Sequence, residues 1–172
     1  MKTLWAPWRM EHVEGKAPKV SGCLFEPAGT CSFDKESLLL YRDRQTLVLL
    51  NRFPYTNGHL LVAPVRHLAC LTDLDSEEQA ALMAMVTNCA RIVRETLQPD
   101  GLNVGCNLGE VAGAGIADHL HFHIVPRWQN DHNFMAVLAD VRSIPEHLLT
   151  TFDRLLPHFK ELHLNNRLKV ED

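Results

Sequence analysis

With 172 residues, 46% of them hydrophobic, the chain is long enough for one core and short for two domains, so a single domain over 1–172 is expected. A formal charge of -4 without any basic block gives no electrostatic case for a nucleic-acid duplex or an acidic membrane surface. The N-terminus mixes Lys2, Trp5, Pro7, Trp8, Arg9 and Glu11 without a secretory apolar region, and no segment is apolar enough to span a bilayer, so the expected location is the cytoplasm.

Residues 1–36 read as an arm punctuated by Pro, Gly and Cys, pinned to the core or to a partner subunit by Leu4, Trp5 and Trp8. Leu38–Tyr41 and Thr46–Asn51 read as strands around the charged turn Arg42-Asp43-Arg44, and His59–Val65 as a third strand. Ser76 and Gln79 suggest a capping box, and the apolar spacing from Ala80 to Val93 predicts a long helix ending before Pro99-Asp100-Gly101. Strands at Leu102–Asn107 and His119–Val125 flank a loop with Gly109, Gly113 and Gly115, and Pro145–His163 reads as a terminal helix. Strands arranged as a meander with one long helix between them predict an α+β domain, with an antiparallel sheet of about five strands, rather than a βαβ nucleotide fold. The cysteines at 23, 31, 70, 89 and 106 are odd in number and form no paired framework, which predicts reduced thiols.

The most informative stretch is Asp118 to Trp128, where His119, His121 and His123 alternate with Leu120, Phe122 and Ile124. On a strand, alternation throws the three imidazoles onto one face at successive spacings of roughly 6.5 to 7 Å, with the apolar residues against the core. Such a face can be ordinary solvent-facing surface, a metal site or a catalytic site. Histidine suits the last two, because its titration range and lone pairs serve chemistry near neutral pH. Three ligands on one straight strand do not easily converge on one ion.

The run His119-Leu120-His121-Phe122-His123-Ile124-Val125 resembles the signature of the histidine-triad (HIT) family, in which three histidines alternate with apolar residues. Asn51 to Pro64 is similar to that family's upstream strand, loop and strand, including its Asn and Gly-His pair, and the match continues at His67. The segments Leu4–Met10, Gly101–Gly109, Val111–Ile116 and Asn133–Met135 resemble the bacterial branch related to diadenosine tetraphosphate phosphorylases. The resemblance implies the same α+β architecture, commonly as a homodimer. It also implies cleavage next to a nucleoside α-phosphate through a nucleotidyl-histidine, with a dinucleoside polyphosphate as leading substrate and water or inorganic phosphate as second nucleophile. Phosphoramidates and aminoacyl-adenylates are alternative substrates, and a nucleotide- or metal-binding regulatory module is the alternative from another class.

Carried over by position, the resemblance implies that His121 is the nucleophile, held with one ring nitrogen hydrogen-bonded and the other open to attack. His59 and His123 match positions lining the phosphate site, where partial protonation would offset negative charge. Asn107 matches a residue near the scissile phosphate, although turn capping before Gly109 also accounts for it. Gly113 and Gly115 would bring backbone N–H groups to phosphates. Asn51 matches the nucleoside side, although an Asn at a strand end also serves as a turn residue. Arg127 and Trp128 could meet a distal phosphate or second nucleoside, with packing an equal account of Trp128. No cofactor is expected for catalysis. Relatives with Cys-x-x-Cys at Cys23 to Glu26 bind structural zinc through both cysteines, a histidine at His67 and the first triad histidine at His119. Here the second cysteine is Glu26, so the candidate set is Cys23, Glu26, His67 and His119, a carboxylate replacing one thiolate.

Overall fold

The computed structural model describes residues 22–26, 32–129, 131 and 146–168. The expected anchors Leu4, Trp5 and Trp8, together with Cys31, Pro145 and Asn133–Met135, lie outside them. Two hydrophobic strands, β1 (Leu39–Arg42) and β2 (Thr46–Leu50), turn about Asp43, whose Oδ1 accepts the N–H groups of Gln45 and Thr46 at 2.9 and 2.7 Å. β3 (Leu60–Pro64) returns antiparallel to β2. The last two strands, β4 (Gly101–Cys106) and β5 (Phe122–Arg127), complete a five-stranded sheet of order β1-β2-β3-β5-β4. Every pairing is antiparallel. The final strand inserts between β3 and β4 and leaves β4 at the edge.

Helix α1 (Ser76–Leu97) is capped one residue upstream of the expected Ser76–Gln79 pair. Asp75 accepts from the Glu78 N–H at 2.8 Å, and the Glu78 carboxylate accepts from the Asp75 N–H at 3.0 Å. Asp caps as well as Ser does, and Gln79 is instead spent on the Leu74 carbonyl. The helix stops at Gln98, in the left-handed region at φ 50°, immediately before Pro99. Helix α2 (Leu148–Leu168) starts later than the expected Pro145 and runs past His163, and Asn166 in its last turn donates to the Tyr41 hydroxyl at 3.1 Å.

Both helices cover one face of the sheet. Leu40, Val48, Leu60, Val62 and Ile124 meet Leu82, Cys89 and Ile92 of α1 and Phe152, Leu155 and Phe159 of α2 in the main core. Alternate residues Leu39, Leu47, Leu49, Leu61 and Ala63 point the other way, beneath Phe25. Burial on both faces explains why β2 and β3 read as unbroken apolar runs. At Gly58, φ is +73° and an added Cβ would come 2.2 Å from Leu97 Cδ1, so only glycine lets the end of α1 close on this turn.

The expected strand His119–Val125 begins only at Phe122. The His119 carbonyl is taken by the His121 ring and the Leu120 N–H by the Leu68 carbonyl, so the ladder with β3 starts at Val62↔Phe122. Among the described residues Cys23, Cys70, Cys89 and Cys106 are free thiols, and no helix is long and apolar enough to cross a membrane. In urea denaturation, Leu155→Ala, at a fully buried site, should cost about 2–5 kcal/mol. Met83→Ala, at a site 51% exposed, should stay within about 0.5 kcal/mol.

Candidate active site

The extended lead-in to β5 keeps the expected alternation even where it is not a strand. Leu120 and Ile124 enter the helix-side core, while the histidines occupy the opposite face. There the Phe25 ring lies 4.9 Å from His119 and 5.0 Å from His121, and the rings of His121 and His123 are 4.8 Å apart. His121 is 4% exposed, and its Nδ1 meets the backbone carbonyl of His119 at 2.8 Å. A carbonyl only accepts, so Nδ1 carries the proton and Nε2 holds the lone pair.

The same logic fixes His59, which is fully buried at the start of β3. Its Nδ1 accepts the Tyr55 backbone N–H at 3.2 Å and lies 3.2 Å from Asn51 Nδ2. The Phe53 N–H on Asn51 Oδ1, at 2.9 Å, orients that amide. The neutral His59 proton is therefore on Nε2, which donates to His123 Nδ1 at 3.0 Å. His123 in turn carries its proton on Nε2. Burial and the neighbouring His121 push its pKa down to about 4. Near neutral pH the His123 ring therefore offers a neutral N–H.

Asn51 spends its amide building the loop around His59, in line with the turn role weighed from sequence. Asn107 lines a cavity of about 410 Å³ together with His123 and donates to the Gly113 carbonyl at 3.1 Å. Gly113 has φ +89° and packs against Asn107, whereas the described residues leave open space around Gly115. Arg127 lines the same cavity, held by Asn103 at 3.0 Å and by the Asp131 carboxylate at 2.9 Å. Sequence reasoning missed Tyr55, whose ring stacks on His59 at 4.8 Å and on His123 at 6.1 Å. An aromatic residue four positions before the Gly58-His59 histidine was the available signal. It also missed the anchor of this loop: Asn57 donates to Glu146 at 3.2 Å, and the buried Thr151 hydroxyl lies 2.9 Å from Asn57 Oδ1.

Below the triad, Cys23, His67 and His119 bring one donor atom each within 4.8 Å of one another. His119 Nε2–H donates to the Pro64 carbonyl at 2.9 Å, leaving the Nδ1 lone pair 3.1 Å from Cys23 Sγ. Glu26 falls outside this triple and meets His67 Nδ1 at 2.9 Å. Burial, then the Glu26 and Asp118 charges, hold the Cys23 thiol above its ordinary pKa, and burial lowers that of His119. A sulfur and two imidazoles, one with its far N–H on a carbonyl, fit a tetrahedral zinc donor set with a carboxylate adjacent.

The sequence pattern of the HIT domain matches residues 32–130, which contain all five strands, α1 and the three histidines. The chain belongs to the histidine-triad family. This HIT protein is 37% identical over 162 residues to an AP-4-A phosphorylase of Mycobacterium tuberculosis, a match covering 91% of this chain and 83% of the relative. A Zn-bound histidine triad family protein from Mycobacterium smegmatis superposes with a TM-score of 0.59 at 31% identity, over 74% of this chain and 87% of that one. A histidine triad nucleotide-binding protein from Sulfolobus tokodaii superposes with a TM-score of 0.60 at 25% identity, over 73% and 85%.

Between the ordinary histidine pKa of 6.5 and the folded value near 4, an unfolded chain binds a proton that folded His123 does not. Stability should therefore fall as pH drops through that window, with His119 acting in the same direction. Replacing His123 by Gln should flatten the slope of unfolding free energy against pH between about 6.5 and 4, measured by urea titrations at each pH.

Proposed function

We propose that this HIT protein acts as a single-domain cytoplasmic enzyme. It cleaves a phosphoanhydride next to a nucleoside α-phosphate through a nucleotidyl-His121 intermediate, with diadenosine tetraphosphate as leading substrate. The observation that carries the reading is the His121 ring, its Nδ1–H fixed on the His119 carbonyl and its Nε2 lone pair available. The 37% identity to the mycobacterial AP-4-A phosphorylase supports the substrate.

In the first step Nε2 attacks the α-phosphorus. A P–N bond forms as the bond to the bridging oxygen breaks, and the polyphosphate leaves with the electron pair. The positive charge developing on the imidazole is shared through Nδ1–H with the His119 carbonyl. His123, oriented by His59, presents Nε2–H to the oxygens that gain charge. In the second step an oxygen of inorganic phosphate, or of water, attacks the same phosphorus and releases a proton. The P–N bond breaks and its electron pair returns to Nε2. Asn107, at the cavity wall, is placed to donate to a phosphate oxygen once its bond to Gly113 is exchanged.

We read the assembly as a homodimer. The edge strand β4 supports this, since Asn103, Val104 and Gly105 are exposed and its ladder within the described residues runs only to β5. Structural zinc on Cys23, His67 and His119 is the accompanying proposal, with the Glu26 carboxylate, which meets His67, exchanging that bond to become the fourth donor; the metal would brace the carbonyl-bearing residue that holds His121.

The test is chromatography of products from diadenosine tetraphosphate with and without phosphate. Phosphorolysis yields ATP plus ADP only with phosphate, whereas hydrolysis yields AMP plus ATP without it; no cleavage under either condition would sink the reading. His121→Ala should lower the rate by roughly a thousandfold or more. For the metal, elemental analysis should find about one zinc per chain, and Cys23→Ala should lose it together with several degrees of thermal midpoint.

A further inference from the structure

The cavity beside β4 continues past the histidines, and the phosphate chemistry does not use all of it. Along β5, His123, Val125 and Arg127 face it in succession, a run of about 13 Å at strand rise. Asn103 of β4, paired with Val125, lines it as well, and Tyr55 overhangs the end at His123. The Tyr55 ring lies nearly parallel to both His59 and His123, at 29° and 27°, and keeps 44% of its surface exposed. Its loop is fixed beneath it, because the Thr56 hydroxyl donates to the Pro126 carbonyl at 2.7 Å. At about 410 Å³ the cavity falls within the range of small-molecule sites.

We propose that this cavity is the subsite for the nucleoside of the leaving polyphosphate, with the Tyr55 ring as the platform on which its base stacks. The inference rests on the reading that His121 attacks the α-phosphorus. In-line displacement puts nucleophile and leaving oxygen on opposite sides of that phosphorus. His121 is buried beneath Phe25 and does not line the cavity, whereas His123, the next ring along, does. A group departing away from His121 therefore passes His123 and enters the cavity. Its wall then offers what a nucleoside needs: an aromatic plane, the Val125 side chain, an amide and a guanidinium. The residue sets specificity for a second nucleoside; its hydroxyl has no part in the transfer.

The experiment is calorimetric binding to full-length protein carrying His121→Ala, so that ligand survives, comparing diadenosine tetraphosphate with adenosine tetraphosphate, which lacks the second nucleoside. The dinucleotide should bind about 5- to 150-fold more tightly, the span expected for one stacked base. Adding Tyr55→Ala should bring that ratio close to one, and adding Tyr55→Phe should preserve it. A ratio near one before Tyr55 is touched, or a ratio that survives Tyr55→Ala, overturns the proposal. Equal weakening of both ligands by Tyr55→Ala leaves the ratio intact and overturns it too. Turnover by the unsubstituted protein is measured separately, so a failure of the catalytic reading appears as absent cleavage, whatever the binding ratio.

Discussion

One backbone carbonyl, that of His119, fixes the tautomer of the middle ring of the triad. It accepts from His121 and so leaves the opposite nitrogen bare. Its own position is secured from two directions: the His119 ring is anchored on the Pro64 carbonyl at the end of β3, and Leu120 next to it is tied to Leu68. The donor cluster with Cys23 and His67 grips the same ring from its other nitrogen. The carbonyl is turned to the imidazole here, and sheet pairing begins three residues further on, at Phe122.

A second directional series runs from the Tyr55 N–H through His59 to His123, and each link is forced by the one before it. Neither ring needs a charge to be oriented. Burial beside His121 also keeps His123 uncharged near neutral pH. The polar face of the sheet is organised by proton placement, and the opposite face by apolar interdigitation with two helices.

Much of this was legible from the residues. Period-two alternation correctly put Leu120 and Ile124 in the core and the histidines on the other face, since strand-like backbone dictates it even outside a formal strand. The unbroken apolar runs of β2 and β3, and the Pro99 stop after α1, marked their elements closely. What stayed hidden depends on partners distant in sequence. Tyr55 stacks on a ring 68 positions away, the Asn57 amide meets Glu146, and Glu26 turns to His67 instead of joining the compact donor triple. The start of α1 was ambiguous for a local reason: Asp75 and Ser76 are adjacent residues of equal capping ability.

The bond from Asn57 to Glu146, with Thr151 beneath it, ties the histidine loop to the first turn of the C-terminal helix. Gly58, next in the chain, packs on the last turn of α1. Local opening of the loop therefore cannot proceed without disturbing two helix ends, and fraying at the start of α2 removes a restraint directly beside His59. The loop and the start of the C-terminal helix are thereby coupled, so a change in a segment that contributes no side chain to the histidine cluster reaches it through these bonds.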